Sequence, residues 1–300
     1  MINWGKKAPI AAVYLSIILG TVQILSLYNY YSFSENDVIY INNDLVIAEN
    51  TTYDGCTIIL TGNLTVANNA TLTLNNTVLK LNCSYDGQFE IEVQRNATMI
   101  ICNNSTITSN TNYAYTIHVR SGAKFRMKYS SLQHCGYGDS PNGLKIETND
   151  AIIDHSNLSY NRCGVFAYMA SPTITNNTFY RNDMGVYCLK NADAVIKYNT
   201  FLYTRDDDVY CDGGSTTSPR PSNAIIIGNV FKYTGLPSFG DVITCDALSS
   251  PYIENNTIIG NGHIEDCFYA NYRNDVTIKN VTMSVANLGI STSSIKRIRL

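Results

Sequence analysis

A short phrase recurs along this 300-residue chain and restricts its possible folds more than any other feature. Six copies read AIIDHSNL, PTITNNTF, AVIKYNTF, AIIIGNVF, PYIENNTI and VTIKNVTM, and they begin at Ala151, Pro172, Ala194, Ala224, Pro251 and Val276. Stretches from Thr71 and Thr98 are similar. The six copies begin 21 to 30 residues apart, a spacing typical of proteins that stack one structural unit on the next.

Apolar residues occupy fixed places in each copy. One anchor per copy gives the column Leu74, Cys102, Met127, Ile153, Ile174, Ile196, Ile226, Ile253 and Ile278. Five residues after each anchor stands a second apolar residue, in the column Leu79, Ile107, Leu132, Leu158, Phe179, Phe201, Phe231, Ile258 and Met283. A third column, usually 12 or 13 residues past the anchor, holds Leu144, Val165, Val186, Val209, Val242 and Ile290.

Between the columns stand Asn, Gly, Asp, Ser and Thr, residues that form tight turns and tolerate left-handed backbone. The apolar residues alternate with polar ones at the period of a β-strand, so each copy is two or three short strands joined by turns. One such unit cannot bury its apolar face alone, whereas a stack of them buries a continuous core. We therefore predict an all-β solenoid of about ten coils.

The segment ITNNTFYRNDMGV, from Ile174 to Val186, resembles the repeat of right-handed parallel β-helix proteins. Such repeats occur in pectate-lyase-like proteins and in carbohydrate-binding and sugar-hydrolysis domains related to the periplasmic nitrous-oxide maturation protein. The resemblance covers residues 45–290 and implies a single-stranded right-handed parallel β-helix. It indicates fold better than function, because these repeats are found in lyases, hydrolases, adhesins, surface-layer proteins and viral fibres.

Two interior columns follow from this register. Asn177, Asn199, Asn229 and Asn256 are equivalent positions, and their amides are expected to form a hydrogen-bonded ladder at a turn. Phe179, Phe201 and Phe231 are expected to stack inside the coil, away from any ligand.

The amino terminus carries a separate signal. Residues 8–27 hold no charge and are long enough to cross a bilayer as a hydrophobic helix, with Lys6 and Lys7 before them and tyrosines after them. We expect residues 1–32 to be a signal anchor with a short linker and residues 33–300 to be the β-helix domain. A cleaved signal peptide is the alternative.

Charge and glycosylation motifs favour an extracellular protein. The net charge of −3 gives no basic face for nucleic acid. Twelve Asn-x-Ser/Thr motifs are predicted glycosylation sites, although turn chemistry alone also produces this pattern: Asn50, Asn63, Asn69, Asn75, Asn82, Asn96, Asn103, Asn104, Asn157, Asn176, Asn255 and Asn280.

The nine cysteines include no Cys-x-x-Cys pair, which argues against a zinc site. Cys188 and Cys211 each follow a third-column valine by two residues. We therefore expect them on neighbouring coils, where a disulfide is predicted between them.

Candidate chemistry is concentrated in an acidic stretch. Asp208 and Asp241 directly precede third-column residues, and Asp266 is placed one coil further, so the three are predicted to be neighbours. As a catalytic set they would act with a basic residue, as the resemblance to lyases implies, and Arg205 is the nearest candidate base and Lys232 another. Alternatively, Asp207, Asp208 and Asp241 would hold calcium, or the aspartates simply form turns. No other cofactor is expected.

Three excursions interrupt the repeat, at residues 135–143, 212–223 and 234–240, and the last two adjoin the acidic stretch. Insertions in solenoids usually become loops on one face. The sequence therefore predicts a membrane-anchored or secreted surface protein with a structural or adhesive role that contacts carbohydrate or cell-surface components. The alternative is a polysaccharide lyase or glycoside hydrolase that uses Asp208 and Asp241.

Overall fold

The chain winds into an all-β parallel solenoid of about nine turns, close to the ten predicted. The computed structural model describes residues 29–138, 142–232, 240–260, 266–271, 275–284, 290–293 and 297–299. The apolar segment 8–27 lies outside the described residues. Within the described part of the chain, no helix has the length and apolar character needed to cross a membrane.

Each coil contributes one strand to each of three parallel rows. Two long strands, β1 (Asn29–Ile41) and β3 (Thr51–Leu60), span the first and second rows. The first row continues with β5 (Thr71–Asn75), β8 (Thr98–Cys102), β11 (Lys124–Lys128), β14 (Ala151–Asp154), β17 (Thr173–Thr175), β20 (Val195–Lys197), β23 (Ile225–Ile227), β26 (Tyr252–Glu254), β29 (Asp275–Lys279) and β32 (Arg297–Arg299).

The second row continues with β6 (Val78–Leu81), β9 (Thr106–Ser109), β12 (Ser131–Gln133), β15 (Asn157–Ser159), β18 (Thr178–Tyr180), β21 (Thr200–Leu202), β24 (Val230–Lys232), β27 (Thr257–Ile259) and β30 (Thr282–Ser284). The third row is a separate 11-stranded sheet. It contains β2 (Leu45–Ile47), β4 (Leu64–Val66), β7 (Glu90–Val93), β10 (Thr116–Val119), β13 (Leu144–Ile146), β16 (Cys163–Tyr168), β19 (Met184–Leu189), β22 (Val209–Asp212), β25 (Ile243–Asp246), β28 (Phe268–Asn271) and β31 (Ile290–Ser293).

The predicted first column is confirmed over most of its length. Ile153, Ile174, Ile196, Ile226, Ile253 and Ile278 pair in unbroken register along the first row, and all are buried. The assignment of Cys102 was wrong by one residue, because Ile101 pairs with both Leu74 and Met127. The following corner holds one extra residue, with Asn103 and Asn104 both in left-handed conformation, and this shifted the count.

The third column needs a similar correction. Val209 pairs with Ile243, and Ile243 pairs with Phe268, so Val242 does not belong to this column. Val242 and Ile243 are both apolar and fully buried, and they follow a long excursion after β24. Residue type alone therefore could not fix the register at this point.

The asparagine ladder forms as predicted at the corner between the first and second rows. Each side-chain amide donates to the side-chain carbonyl of the next asparagine, over 3.1 Å from Asn177 to Asn199, 3.1 Å from Asn199 to Asn229 and 3.0 Å from Asn229 to Asn256. Each accepting side-chain carbonyl also accepts the backbone N–H of the ladder asparagine one coil earlier. The buried turn is thus satisfied without water.

The phenylalanine stack also forms in the interior. The rings of Phe179 and Phe201 lie 4.6 Å apart and those of Phe201 and Phe231 lie 4.9 Å apart, nearly parallel and fully buried. Gly164 and Gly185 face these rings across the core. A side chain at Gly185 would lie 2.8 Å from the Phe201 ring, so the glycines make room for the aromatic stack.

Three cysteines form an inward column. Cys188 pairs with Cys211, and Cys211 pairs with Cys245, on successive strands of the third row. The neighbouring positions of Cys188 and Cys211 are as predicted, and all nine cysteines are free thiols here. The hydrogen bond with the Cys211 thiol, together with burial, raises the pKa of the Cys188 thiol.

Candidate functional site

The corner between the second and third rows presents a row of large side chains in a strained backbone conformation. His134, Tyr160, Arg181 and Tyr203 occupy equivalent positions on four successive coils, with φ values of 58°, 57°, 52° and 58°. Left-handed backbone is cheap for Gly and Asn and costs other residues more. These four residues, here called the corner ridge, point bulky groups outward at that cost.

The ridge and its neighbour Tyr180 form a continuous ring contact. His134 stacks on Tyr160 at 5.6 Å between ring centroids, and Tyr180 meets Tyr160 and Tyr203 edge-on at 5.6 and 5.7 Å. The Arg181 guanidinium lies 5.4 Å from the Tyr180 ring and 5.8 Å from the Tyr203 ring. His134, Tyr160 and Arg181 are exposed, so these contacts leave a surface open to solvent.

A second line of charged residues runs beside the ridge. Arg162 donates to Asp183 over 2.9 Å, and Arg205 on the next coil lies 3.4 Å from the other oxygen of the same carboxylate. The side chain of Arg162 is 17% exposed and that of Arg205 is 68% exposed. Arg162 is therefore fixed, whereas Arg205 extends into solvent.

A groove of about 520 Å³ lies between these two lines, here called the corner groove. Its lining includes Tyr160, Arg162, Arg181, Asp183 and Arg205. Gly136, Tyr137 and Gly138 also line it, which places the described part of the predicted 135–143 excursion at the groove. The 212–223 excursion does not line it, and residues 233–239 lie outside the described residues.

The predicted acidic neighbours are only partly brought together. Backbone hydrogen bonds from Gly185 to Asp207, from Asp208 to Asp241 and from Val242 to Asp266 place Asp207, Asp241 and Asp266 in one column. The prediction that Asp208 is equivalent to Asp241 was wrong, because Asp208 aligns with Val242. The error has the same source as the misplaced third column.

Asp207 is held in a nearly buried network. Its Oδ1 accepts from the Asp241 backbone N–H over 2.9 Å and from the Thr244 hydroxyl over 3.0 Å, and Thr244 also lies 3.3 Å from Asp241 Oδ2. Burial raises the pKa of Asp207 to about 7, and the nearby charges of Asp206 and Asp241 act in the same direction. The hydrogen bond from the Asp241 backbone N–H lowers the pKa but does not outweigh these effects. This carboxyl group therefore titrates near neutrality.

Asp208 is 1% exposed. It aligns with Gly185, whose added side chain would meet the Phe201 ring, so this position faces the inside of the coil. Burial raises the pKa of Asp208 well above its ordinary value, against a lowering hydrogen bond from Thr204. The buried, inward position of this carboxyl group favours neither the catalytic nor the calcium role predicted for it.

Other acidic groups lie on the outer face of the third row. Asp212 and Asp246 are register partners, and they accept hydrogen bonds from Tyr187 over 2.9 Å and from Tyr210 over 3.4 Å. Among the described residues, no group of three or more His, Cys, Asp or Glu is arranged to hold a metal ion. The predicted calcium site has no support from this geometry.

The twelve predicted glycosylation asparagines all lie among the described residues, and each is exposed or half-buried. Seven occupy left-handed turns: Asn69, Asn96, Asn103, Asn104, Asn176, Asn255 and Asn280. Turn geometry alone thus accounts for asparagine at these seven places. Glycosylation stays a prediction at all twelve.

The stacked register, the three rows and the inward columns define a parallel β-solenoid. Residues 115–283, more than half of the chain, match the family described as "Right handed beta helix region". The protein belongs to this right-handed β-helix family, as the repeat predicted. No curated protein matches the chain.

Solved structures with the same fold come from proteins of several kinds. The Dettilon tailspike protein shares 14% identity over 85% of this chain and 61% of its own, with a TM-score of 0.47. PfbA, a surface adhesin of Streptococcus pneumoniae, shares 13% identity over 84% and 71%, with a TM-score of 0.47. A PL6 alginate lyase in complex with a trisaccharide shares 12% over 82% and 55%, with a TM-score of 0.37.

The sequence reasoning missed the corner ridge. Its members stand two residues after the second-column residues Leu132, Leu158, Phe179 and Phe201, a regular spacing that was visible in the sequence. The signal was that this turn position holds His, Tyr, Arg and Tyr, where Gly or Asn is the usual choice. Of the predicted site residues, only Arg205 lies in the corner groove.

Proposed function

We propose that this protein is a rigid, non-catalytic β-helix of the cell or particle exterior that binds carbohydrate along the corner ridge. The observation that carries the proposal is the strained row of His134, Tyr160, Arg181 and Tyr203, in which the first three are exposed and Tyr203 is half-buried. Sugar rings present C–H groups on their faces, which pack against aromatic rings, and hydroxyl groups at their edges. The ridge supplies the rings, and the adjacent line of Arg162, Asp183 and Arg205 supplies hydrogen-bond partners.

The structural role rests on the way the coils are joined. Parallel pairing runs through all three rows, and the asparagine ladder and the phenylalanine stack join several successive coils. A rod of this kind holds a linear array of binding groups at fixed spacing. Such an array suits attachment to an extended polymer, because several weak contacts act together.

An extracellular location is part of the same proposal. It is supported by the apolar segment 8–27, by the twelve glycosylation motifs and by their accessible asparagine side chains. Anchoring through residues 8–27 and secretion after cleavage both agree with a carbohydrate-binding rod.

The test is glycan-array binding by the purified full-length chain, followed by calorimetry with the best ligand. Tyr160→Ala removes a ridge ring that is 46% exposed. Tyr198→Ala is the matched control, because Tyr198 is 61% exposed, has φ of 59° and lies at the other corner. We expect Tyr160→Ala to weaken binding at least tenfold and Tyr198→Ala to leave it unchanged. Absence of binding to any glycan, or equal binding by both variants, would overturn the proposal.

A polysaccharide-degrading activity is the second candidate, and one observation favours it. Asp207 and Asp241 share the Thr244 hydroxyl on neighbouring coils, and the pKa of Asp207 is raised to about 7, as in a general acid. Incubation with acidic and neutral polysaccharides, with and without calcium, tests it. Product release that Asp207→Asn and Asp241→Asn abolish supports this candidate, and no release by the unmodified chain excludes it for those substrates.

A further inference from the structure

The corner groove has an unbalanced charge. Among the described residues that line it, Arg162, Arg181 and Arg205 carry guanidinium groups and Asp183 carries a carboxylate. This local excess of positive charge is set in a chain whose net charge is −3. The described lining is therefore net positive, although the chain as a whole is slightly acidic.

The three arginines differ in how strongly they are bound by groups of the protein itself. Arg162 is largely buried and bonded to Asp183 at 2.9 Å. Arg205 is mostly exposed and meets the same carboxylate at the longer distance of 3.4 Å, and such exposed pairs contribute little. Arg181 pairs with no carboxylate among the described residues and instead lies over two tyrosine rings.

Asp206 lies close to the groove and opposes this charge. It is half-buried, and its own charge interacts with Arg162 and Arg205. Burial is the largest influence on the pKa of this carboxyl group and raises it, whereas the charges of Arg162 and Arg205 lower it. The remaining positive charge belongs to the two exposed arginines.

We propose that the corner groove selects anionic saccharides, with Arg181 and Arg205 binding a carboxylate or sulfate group of the sugar while Tyr160 packs against its ring. This inference rests on the proposed carbohydrate-binding function and specifies its ligand class. Guanidinium groups match such oxyanions because they donate two parallel hydrogen bonds and stay charged at all relevant pH values. Asp183 has two effects: it positions Arg162, and it competes with the ligand for Arg205.

Because Asp183 competes with the ligand for Arg205, removing its charge should strengthen the binding of an anionic saccharide. Asp183→Asn keeps the shape of the side chain and removes its charge, so Arg205 is released and the groove becomes more positive. We expect this variant to bind an anionic saccharide several-fold more tightly. Arg205→Ala is expected to have the opposite effect.

The experiment compares three oligosaccharides by calorimetry on the full-length chain: a uronic-acid oligomer, the same oligomer with its carboxyl groups reduced to alcohols, and a sulfated oligomer of equal length. We expect the reduced oligomer to bind at least tenfold more weakly than one of the two anionic forms, and the stronger of these identifies the group recognised. Raising the salt concentration should weaken only the anionic ligands. Arg205→Ala should remove most of the difference, whereas Arg220→Ala, at an exposed arginine outside the groove, should preserve it.

The outcomes separate the two proposals. Equal binding of the reduced and anionic oligomers overturns the selection for anions and leaves carbohydrate binding intact. Weaker anion binding by Asp183→Asn also overturns it, provided that the variant unfolds at the same urea concentration as the unmodified chain. If none of the three binds and the glycan array is also negative, the proposed function itself has failed.

Discussion

Asn199 donates its side-chain amide to the side-chain carbonyl of Asn229, one coil further along, over 3.1 Å, while both residues are almost completely buried. The same Asn229 carbonyl accepts the Asn199 backbone N–H over 2.9 Å. Asn229 in turn donates to the Ile196 carbonyl and to Asn256, each over 3.0 Å. The Asn229 side chain therefore forms hydrogen bonds with backbone and side-chain groups of neighbouring coils, and the ladder links these coils to one another.

Asn229→Asp should destabilise the protein by roughly 3 kcal/mol or more, because both amide donors are lost and a carboxyl group is left in a dry turn. Urea denaturation measures the loss. Asn42→Asp, the same change at an exposed position, should alter the free energy of unfolding by less than about 0.5 kcal/mol. Equal stability of the two variants would contradict the role assigned to the ladder.

Gly185→Ala should cost about 1–3 kcal/mol, because the new methyl group meets both the Asp208 carbonyl and the Phe201 ring. The matched change is Gly138→Ala, where no atom of the described residues lies within 4 Å of the added methyl group. Its cost should be confined to about 1 kcal/mol of backbone strain at φ of 69°. Thermal unfolding compares the two, and a larger loss at Gly138 would argue against close packing at Gly185.

Asp207 should make the protein less stable as the pH rises from about 4 to about 7. The folded state keeps its proton until a pKa of about 7, whereas the unfolded state loses it near 3.8, so stability falls across this interval and levels off above it. Asp207→Asn should remove this contribution, which amounts to roughly 4 kcal/mol. Urea titrations at several pH values measure the difference between the two proteins, and a constant difference from pH 4 to 8 would refute the assignment.

Asp154 should make the protein less stable as the pH falls, whereas Asp207 makes it less stable as the pH rises. Hydrogen bonds from Asn176, His155 and Thr175 outweigh the effect of burial and lower its pKa to about 2. The folded state therefore holds this group charged where the unfolded chain binds a proton, and the stability it provides is lost as the pH falls from about 4 to 2. Asp154→Asn should reduce the acid sensitivity measured by urea denaturation between pH 2 and 5. An unchanged acid response would show that Asp154 is not held as a charged group.

The fold was readable from the sequence because its core is periodic. Ile174 and Phe179 repeat as apolar columns, and Asn177 marks the turn between them, so spacing alone fixed three rows and one ladder. Register failed at Cys102 and Val242, where an extra corner residue or a long excursion separates equally apolar candidates. The one-residue slip at Val242 placed Asp241 level with Asp208, although the register partner of Asp208 is Val242.

The candidate site was harder to predict because its residues share a backbone conformation and differ in chemical type. Tyr160 and Arg181 occupy equivalent positions, but they are different residue types, and only the left-handed backbone of this corner shows that they belong together. Arg205 was identified through its neighbouring aspartates, and its partner proved to be Asp183 on the preceding coil. The acidic stretch drew attention by sequence proximity, although burial removes part of it from solvent.

The most direct test of carbohydrate binding at the corner ridge is a crystal structure of the chain with the oligosaccharide that binds most tightly. We predict sugar density against the Tyr160 ring, with polar contacts to Arg181 and Arg205. Density on the outer face of the third row beside Asp207 and Asp241, with the corner groove empty, would contradict it.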